Sequence, residues 1–159
     1  MLVSHYREML HALSDRNVKY MLVGGYALGA HGHPRATLDF DLFVEASPEN
    51  ADALYKALAD YGAPLKSDGV TPSDFANEGT VYQIGVQPCR VDIITKISGV
   101  NFADAYKRSV EGNINGVSVR VISLGDLLVN KKAAGRPKDI ADVEIIEHMM
   151  KNKRLESEQ

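Results

Sequence analysis

Residues 38–44 read Leu-Asp-Phe-Asp-Leu-Phe-Val. Leu38, Phe40 and Leu42 alternate with other residue types, which is the period of a half-buried strand. The same alternation puts Asp39 and Asp41 on one face, about 7 Å apart along the backbone at roughly 3.3 Å per residue. Two bare carboxylates that close repel, and one takes up a proton unless a cation sits between them. The strand therefore has one face for a core and another that must meet water or hold positive charge. A solvated face satisfies this. So does a divalent-ion site, and Mg²⁺ suits it, because it prefers oxygen ligands and commonly binds through one or two carboxylates plus substrate phosphates.

Short helices and strands fill the rest of the chain. Tyr6, Met9, Leu10 and Leu13 fall at helical spacing behind Ser4, a plausible N-cap. Residues 19–25 form an apolar strand ending in Gly24-Gly25, and residues 26–32 a short helix or turn. Ser47 as cap, Pro48 at the first helical position, Glu49 in the first turn and Gly62 past the end predict a helix over 48–61. The Gly-, Pro-, Ser- and Asp-rich residues 63–79 read as a loop. Residues 80–86 and 89–95 read as strands, and 101–110 as a short helix. Asn115-Gly116 between alternating runs signals a hairpin. Ser123 and Gly135 bracket another helix, Pro137 opens the last, and residues 154–159 are expected to fray. Helices and strands do not alternate strictly, so the expected class is α+β. The sheet would be small, mixed or antiparallel, with flanking helices and further C-terminal helices.

A chain of 159 residues suits a single domain, 1–159, with a buried core. Net charge of −3 makes no global demand for nucleic acid or an anionic membrane. There is no apolar run of membrane-spanning length. Cys89 is the one cysteine, and charge comes too early at the N-terminus for a signal peptide; both point to the cytoplasm.

Two further features bear on Asp39 and Asp41. Gly24-Gly25 follows a strand, and glycines let backbone N–H groups approach a phosphate closely; a tight turn is the plainer explanation. Asp92 lies in a strand among Val91, Ile93 and Ile94. A carboxylate there needs a partner, a metal or a raised pKa, unless the strand edge is exposed. If that strand lies beside the Asp39 strand, three carboxylates share one site.

Gly-Gly, a short helix, the Asp39/Asp41 strand and a lone acid in a later strand together resemble the nucleotidyltransferase superfamily related to DNA polymerase beta. "DLLVNKKAAGRPKDIADVEII" resembles the C-terminal part of a minimal bacterial branch, which includes the abortive-infection nucleotidyltransferase toxins. The matches cover about residues 20–45 and 88–147. The resemblance implies that Asp39, Asp41 and Asp92 bind two Mg²⁺ ions and that Asp92 can act as base on the attacking hydroxyl. It implies that Gly24 and Gly25 hold a nucleoside triphosphate, that Lys131 touches triphosphate or substrate, and that Asp139 orients Lys131 or the sheet edge. Arg35 and Thr37 match an Arg-x-Thr often seen before the acidic pair; Arg35 would meet a carboxylate or phosphate.

Lys131 at a helix C-terminus and Asp139 at a helix N-terminus also suit the helix dipoles. Asp142 reads as structural. His31 and His33 lack the further ligands of a zinc site. Tyr26 and Tyr82 can stack on a base or pack in the core, and Cys89 reads as a packing residue. Lys131, Lys132, Arg136, Lys138, Lys151, Lys153 and Arg154 form a basic concentration that can meet RNA phosphates or face solvent.

The expected function is metal-dependent transfer of a nucleoside monophosphate from a nucleoside triphosphate to an acceptor hydroxyl on a small molecule, transfer RNA or protein, with an antitoxin-like protein as a possible partner. The alternative is a non-catalytic module of the same fold that binds a nucleotide or a partner.

Overall fold

The computed structural model describes residues 4–114 and 116–158. Among these described residues seven helices and six strands follow one another as α1 (Ser4–Asp15), β1 (Tyr20–Val23), α2 (Gly24–Ala30), β2 (Asp39–Val44), α3 (Pro48–Tyr61), α4 (Pro72–Phe75), β3 (Val81–Ile84), β4 (Arg90–Ile94), α5 (Phe102–Arg108), β5 (Val110–Ile114), β6 (Val117–Val121), α6 (Leu124–Ala134) and α7 (Pro137–Ser157). The strands form one mixed sheet in the order β3-β4-β2-β1-β6-β5. β2 runs antiparallel to β1 and parallel to β4. The α+β class, the mixed sheet and the C-terminal helices agree with the sequence reading.

The local signals account for most boundaries. Ser47 caps α3, its Oγ accepting from Asn50 N at 3.2 Å, and Gly62 ends the helix in the left-handed region at φ 99°. Ser123 and Gly135 bracket α6 in the same way. β5 and β6 pair through Ile114 and Val117, as the hairpin signal requires, although Asn115 lies outside the described residues. Three differences have physical causes. Leu38 precedes β2 and is 54% exposed, so the apolar face of that strand starts at Phe40. The stretch read as a loop holds one helical turn, α4, because Asp74 reaches back to Thr71 N at 2.8 Å and Phe75 is fully buried. α7 runs to Ser157, through part of the segment expected to fray.

Packing on the two faces of β2 sets the height of the acidic pair. Phe40 stacks on Tyr6 of α1 at 4.4 Å between ring centroids, and Tyr26 of α2 meets both rings edge-on. The Tyr6 hydroxyl donates to Pro88 O at 2.9 Å, so α1 is tied to the chain entering β4. On the opposite face Phe43 meets Phe102 of α5 at 5.1 Å. The acid-bearing face is therefore open only at the start of β2. Asn50, 6% exposed, accepts from Lys19 N and donates to Lys19 O and Glu45 O, which joins the entry of β1 to the exit of β2.

Phe40→Ala removes the ring shared by Tyr6 and Tyr26 and should destabilise the protein by about 3–5 kcal/mol, the usual cost of an aromatic deletion in a core. Urea denaturation measures this, and a change below 1 kcal/mol (roughly a tenth of a typical domain's stability) would show that α1 does not seat on β2 as described.

Candidate active site

The parallel pairing of β2 with β4 sets Asp41 opposite Asp92 and Asp39 opposite Arg90. Each of Asp39, Asp41 and Asp92 offers an oxygen within 4.8 Å of the others. Asp92, inferred to need a partner, is 6% exposed and lies on the same face as the pair. Burial first, and then the charges of Asp39 and Asp92, push the Asp41 carboxyl up to about 7. Its Oδ1 is buried without a hydrogen-bond partner. A cluster of hard oxygen donors with an unsatisfied buried oxygen fits a divalent ion of the Mg²⁺ type.

Gly24 lies against this cluster. Its φ of 70° disfavours a side chain, and a Cβ there would collide with the Asp41 carboxylate. Gly25 is packed under the 31–38 segment, where an added Cβ would lie 3.1 Å from Thr37 Oγ1 and 3.6 Å from Arg35 Nε. The Thr37 hydroxyl in turn donates to Asp39 O at 3.2 Å. The two glycines thus form the floor between the acids and the Arg35–Thr37 segment.

Opposite the acids stands a basic wall. A cleft of about 390 Å³ is lined by Gly24, Gly25, Arg35, Thr37, Asp39 and Asp41, by Lys96 just past β4, and by Asn130, Lys131, Arg136 and Lys138 from α6 and the start of α7. Lys131 is 5% exposed, its Nζ 3.1 Å from Asp142 Oδ2 and 3.4 Å from Asp139 Oδ1. Asp142 is fully buried and also pairs with Arg35 Nη1 at 2.5 Å. Arg136 donates to Asp139 through its backbone N at 3.1 Å and its Nε at 2.7 Å. Burial works to raise the Asp139 carboxyl, but these Arg136 hydrogen bonds and the charge of Lys131 outweigh it and hold the carboxyl below its ordinary value.

All nine residues singled out in the sequence therefore meet in or beside one cleft: Gly24, Gly25, Arg35, Thr37, Asp39, Asp41, Asp92, Lys131 and Asp139. Two others, Arg90 and Lys96, escaped notice, and Asp142 was noticed without its partners. Arg90 donates to both Asp39 and Asp92; its place two residues before Asp92 in a strand was the available signal. Lys96 follows β4 directly into the cleft. Asp142, read as structural, joins Arg35 to Lys131, which no local pattern announces. Other candidates lie elsewhere. His31 Nε2 is 2.7 Å from Ile122 O, and Tyr82 donates to Asp68 at 2.7 Å. The basic concentration divides: Arg136 and Lys138 face the cleft, while Lys132, Lys151 and Arg154 line a separate groove between α6 and α7.

Comparison with known proteins places this geometry in context. A family described as "nucleotidyl transferase of unknown function (DUF2204)" matches residues 2–159. No curated protein matches the chain. Among solved structures, the crystal structure of ANT(2″)-Ia in complex with adenylyl-2″-tobramycin is similar with a TM-score of 0.63 at 19% identity, covering 96% of this chain and 91% of that one. A nucleotidyltransferase structure from Thermotoga maritima is similar with a TM-score of 0.57 at 13% identity, covering 100% and 97%. The solution structure of the antibiotic-resistance factor ANT(2″)-Ia gives 0.54 at 15%, covering 98% and 94%. At these identities the likeness is one of fold.

Asp142→Asn leaves two cations short of a counter-charge. Its cost should fall toward the lower end of the about 3–5 kcal/mol typical of a broken buried pair, because Lys131 keeps Asp139. Chemical denaturation of the variant beside wild type checks this, and an unchanged midpoint would mean that the Arg35–Asp142–Lys131 link carries no stability.

Proposed function

The chain belongs to the nucleotidyl transferase family of unknown function (DUF2204), and on that premise we propose that it transfers a nucleoside monophosphate from a nucleoside triphosphate to an acceptor hydroxyl. The observation that carries the reading is the cleft with an acidic and a basic wall. A triphosphate with its divalent ions has the complementary charge pattern, metal on one side and phosphate oxygens on the other.

Asp39, Asp41 and Asp92 would hold one or two Mg²⁺ ions. Bound there, Mg²⁺ would supply charge stabilisation to the phosphate under attack and to the leaving pyrophosphate. Gly24 and Gly25 would leave bare backbone for the close approach of phosphate. Arg35 and Thr37 from one side, and Lys131 and Lys138 from the other, would orient the phosphate oxygens. Asp139 would hold Lys131 aimed into the cleft. Asp92 would take the proton of the acceptor hydroxyl. Phosphoryl chemistry of this kind needs positioning and electrostatics more than covalent participation by the protein.

A small polyhydroxyl acceptor is favoured over RNA. The cleft is compact, and the basic residues outside it lie in a separate groove rather than in one continuous track. The similar fold of ANT(2″)-Ia, solved with an adenylylated aminoglycoside, supports testing that acceptor class first. A single domain, a cytoplasmic setting and an antitoxin-like partner belong to the same proposal. Among the described residues no helix is long and apolar enough to cross a membrane.

The test is transfer of label from each α-³²P nucleoside triphosphate in Mg²⁺ to aminoglycosides, lincosamides or transfer RNA. Wild type should label one acceptor class, and Asp39→Ala/Asp41→Ala should lower the rate by at least about a hundredfold. Nucleotide binding by calorimetry without label transfer to any acceptor would favour a non-catalytic binding module instead.

A further inference from the structure

Arg90 is not among the residues that the reading above assigns to metal or nucleotide, yet it is the cation closest to the acids. Its Nε donates to Asp92 Oδ1 at 2.8 Å, and its Nη2 donates to Asp92 Oδ2 at 3.2 Å and to Asp39 Oδ2 at 2.9 Å. The fork on Asp92 is a bidentate, charge-assisted pair, a strong and geometrically specific arrangement, and Nη2 extends it to Asp39. The register imposes it: Asp39 pairs with Arg90, Asp41 with Asp92, and the strand period returns Arg90 to the face that carries Asp92.

We propose that Arg90 is a built-in counter-cation of the acidic triad, with which an incoming divalent ion must compete. The inference rests on the metal reading of the triad. Arg90 engages both oxygens of Asp92 and one of Asp39. An ion that uses those two carboxylates meets a fixed positive charge on the same oxygens. The two cations repel at short range in a partly buried site, where such repulsion is weakly screened. Asp41, by contrast, feels the charge of Arg90 without a hydrogen bond from it and keeps a bare buried oxygen. Asp41 thus offers the ion an oxygen that no side chain competes for, and Asp39 and Asp92 are released from Arg90 as the ion settles. Arg90 has two opposed effects. It holds adjacent like charges together in the metal-free protein, and it weakens the ion's hold, so that metal is retained strongly only when a polyanionic substrate brings its own ligands.

Mn²⁺ binding followed by calorimetry on the whole chain tests this without recourse to activity. Arg90→Gln should bind Mn²⁺ about tenfold more tightly than wild type, since a unit positive charge has left the site. Arg90→Lys, which keeps the charge, should bind like wild type. Without metal, Arg90→Gln should melt below wild type, and it should gain more on adding Mn²⁺. A measurement on the wild type alone guards against a variant that fails to fold. The Arg90 Nε–H resonance should lose its hydrogen-bonded shift and exchange protection as Mg²⁺ is added. Mn²⁺ binding by wild type with Arg90→Gln equal or weaker, or an Arg90 resonance unmoved at saturating Mg²⁺, overturns the Arg90 proposal alone. No Mn²⁺ binding by either wild type or Arg90→Gln overturns the metal reading and the Arg90 proposal with it.

Discussion

The parallel pairing of β2 and β4 is the constraint from which the rest of the site follows. It brings Asp41 beside Asp92 in the middle of the sheet, where like charges are costly and water is scarce. Each neighbouring feature answers that cost. Gly24 yields the space that the Asp41 carboxylate occupies, Thr37 bonds to Asp39, Arg90 spans Asp39 and Asp92, and basic residues face the acids across the cleft. Structures optimised only for stability do not place three acids together in a sheet. The concentration makes physical sense where a cationic or metal-bearing ligand belongs.

The opposite half of the cleft obeys a different logic. Lys131, Arg35 and Arg136 are each anchored there by a buried carboxylate. Asp142 and Asp139 pair with Lys131, Arg35 and Arg136, which holds these long flexible side chains in defined positions and lets Lys131 lie at 5% exposure. Fixed cations avoid the reorganisation that mobile surface lysines would undergo on meeting a polyanion. One wall is therefore acidic with a single inserted arginine, and the other is basic with inserted aspartates.

Much of this was legible in the chain because it is local. The period of residues 38–44 set both acids on one face. The caps Ser47 and Ser123 and the stops Gly62 and Gly135 marked helices that the structure contains. An Asp inside an apolar strand announced that it needed company, and it has it. What could not be read was register and long-range pairing. That Arg90 faces Asp39 depends on how two strands separated by α3, α4 and β3 align, and the link from Arg35 to Asp142 depends on where α7 docks. The single turn of α4 was hidden for a related reason. Its Gly- and Pro-rich surroundings say loop, and only the burial of Phe75 makes the turn worth forming.

The anchoring of Arg35 and Lys131 by α7 also orders events in time. The acidic triad is complete once β4 has been synthesised, whereas Asp139 and Asp142 are among the last parts of the cleft to leave the ribosome. During that interval the nascent chain carries its clustered acids with Arg90 as their attached counter-charge, and Arg35 and Lys131 have no buried anchors. A chain that stopped before α7 would keep the acids that suit a metal but not the ordered cations that suit a triphosphate. The ordering of the basic side of the cleft thus waits on α7, the last of the elements that line it to be made.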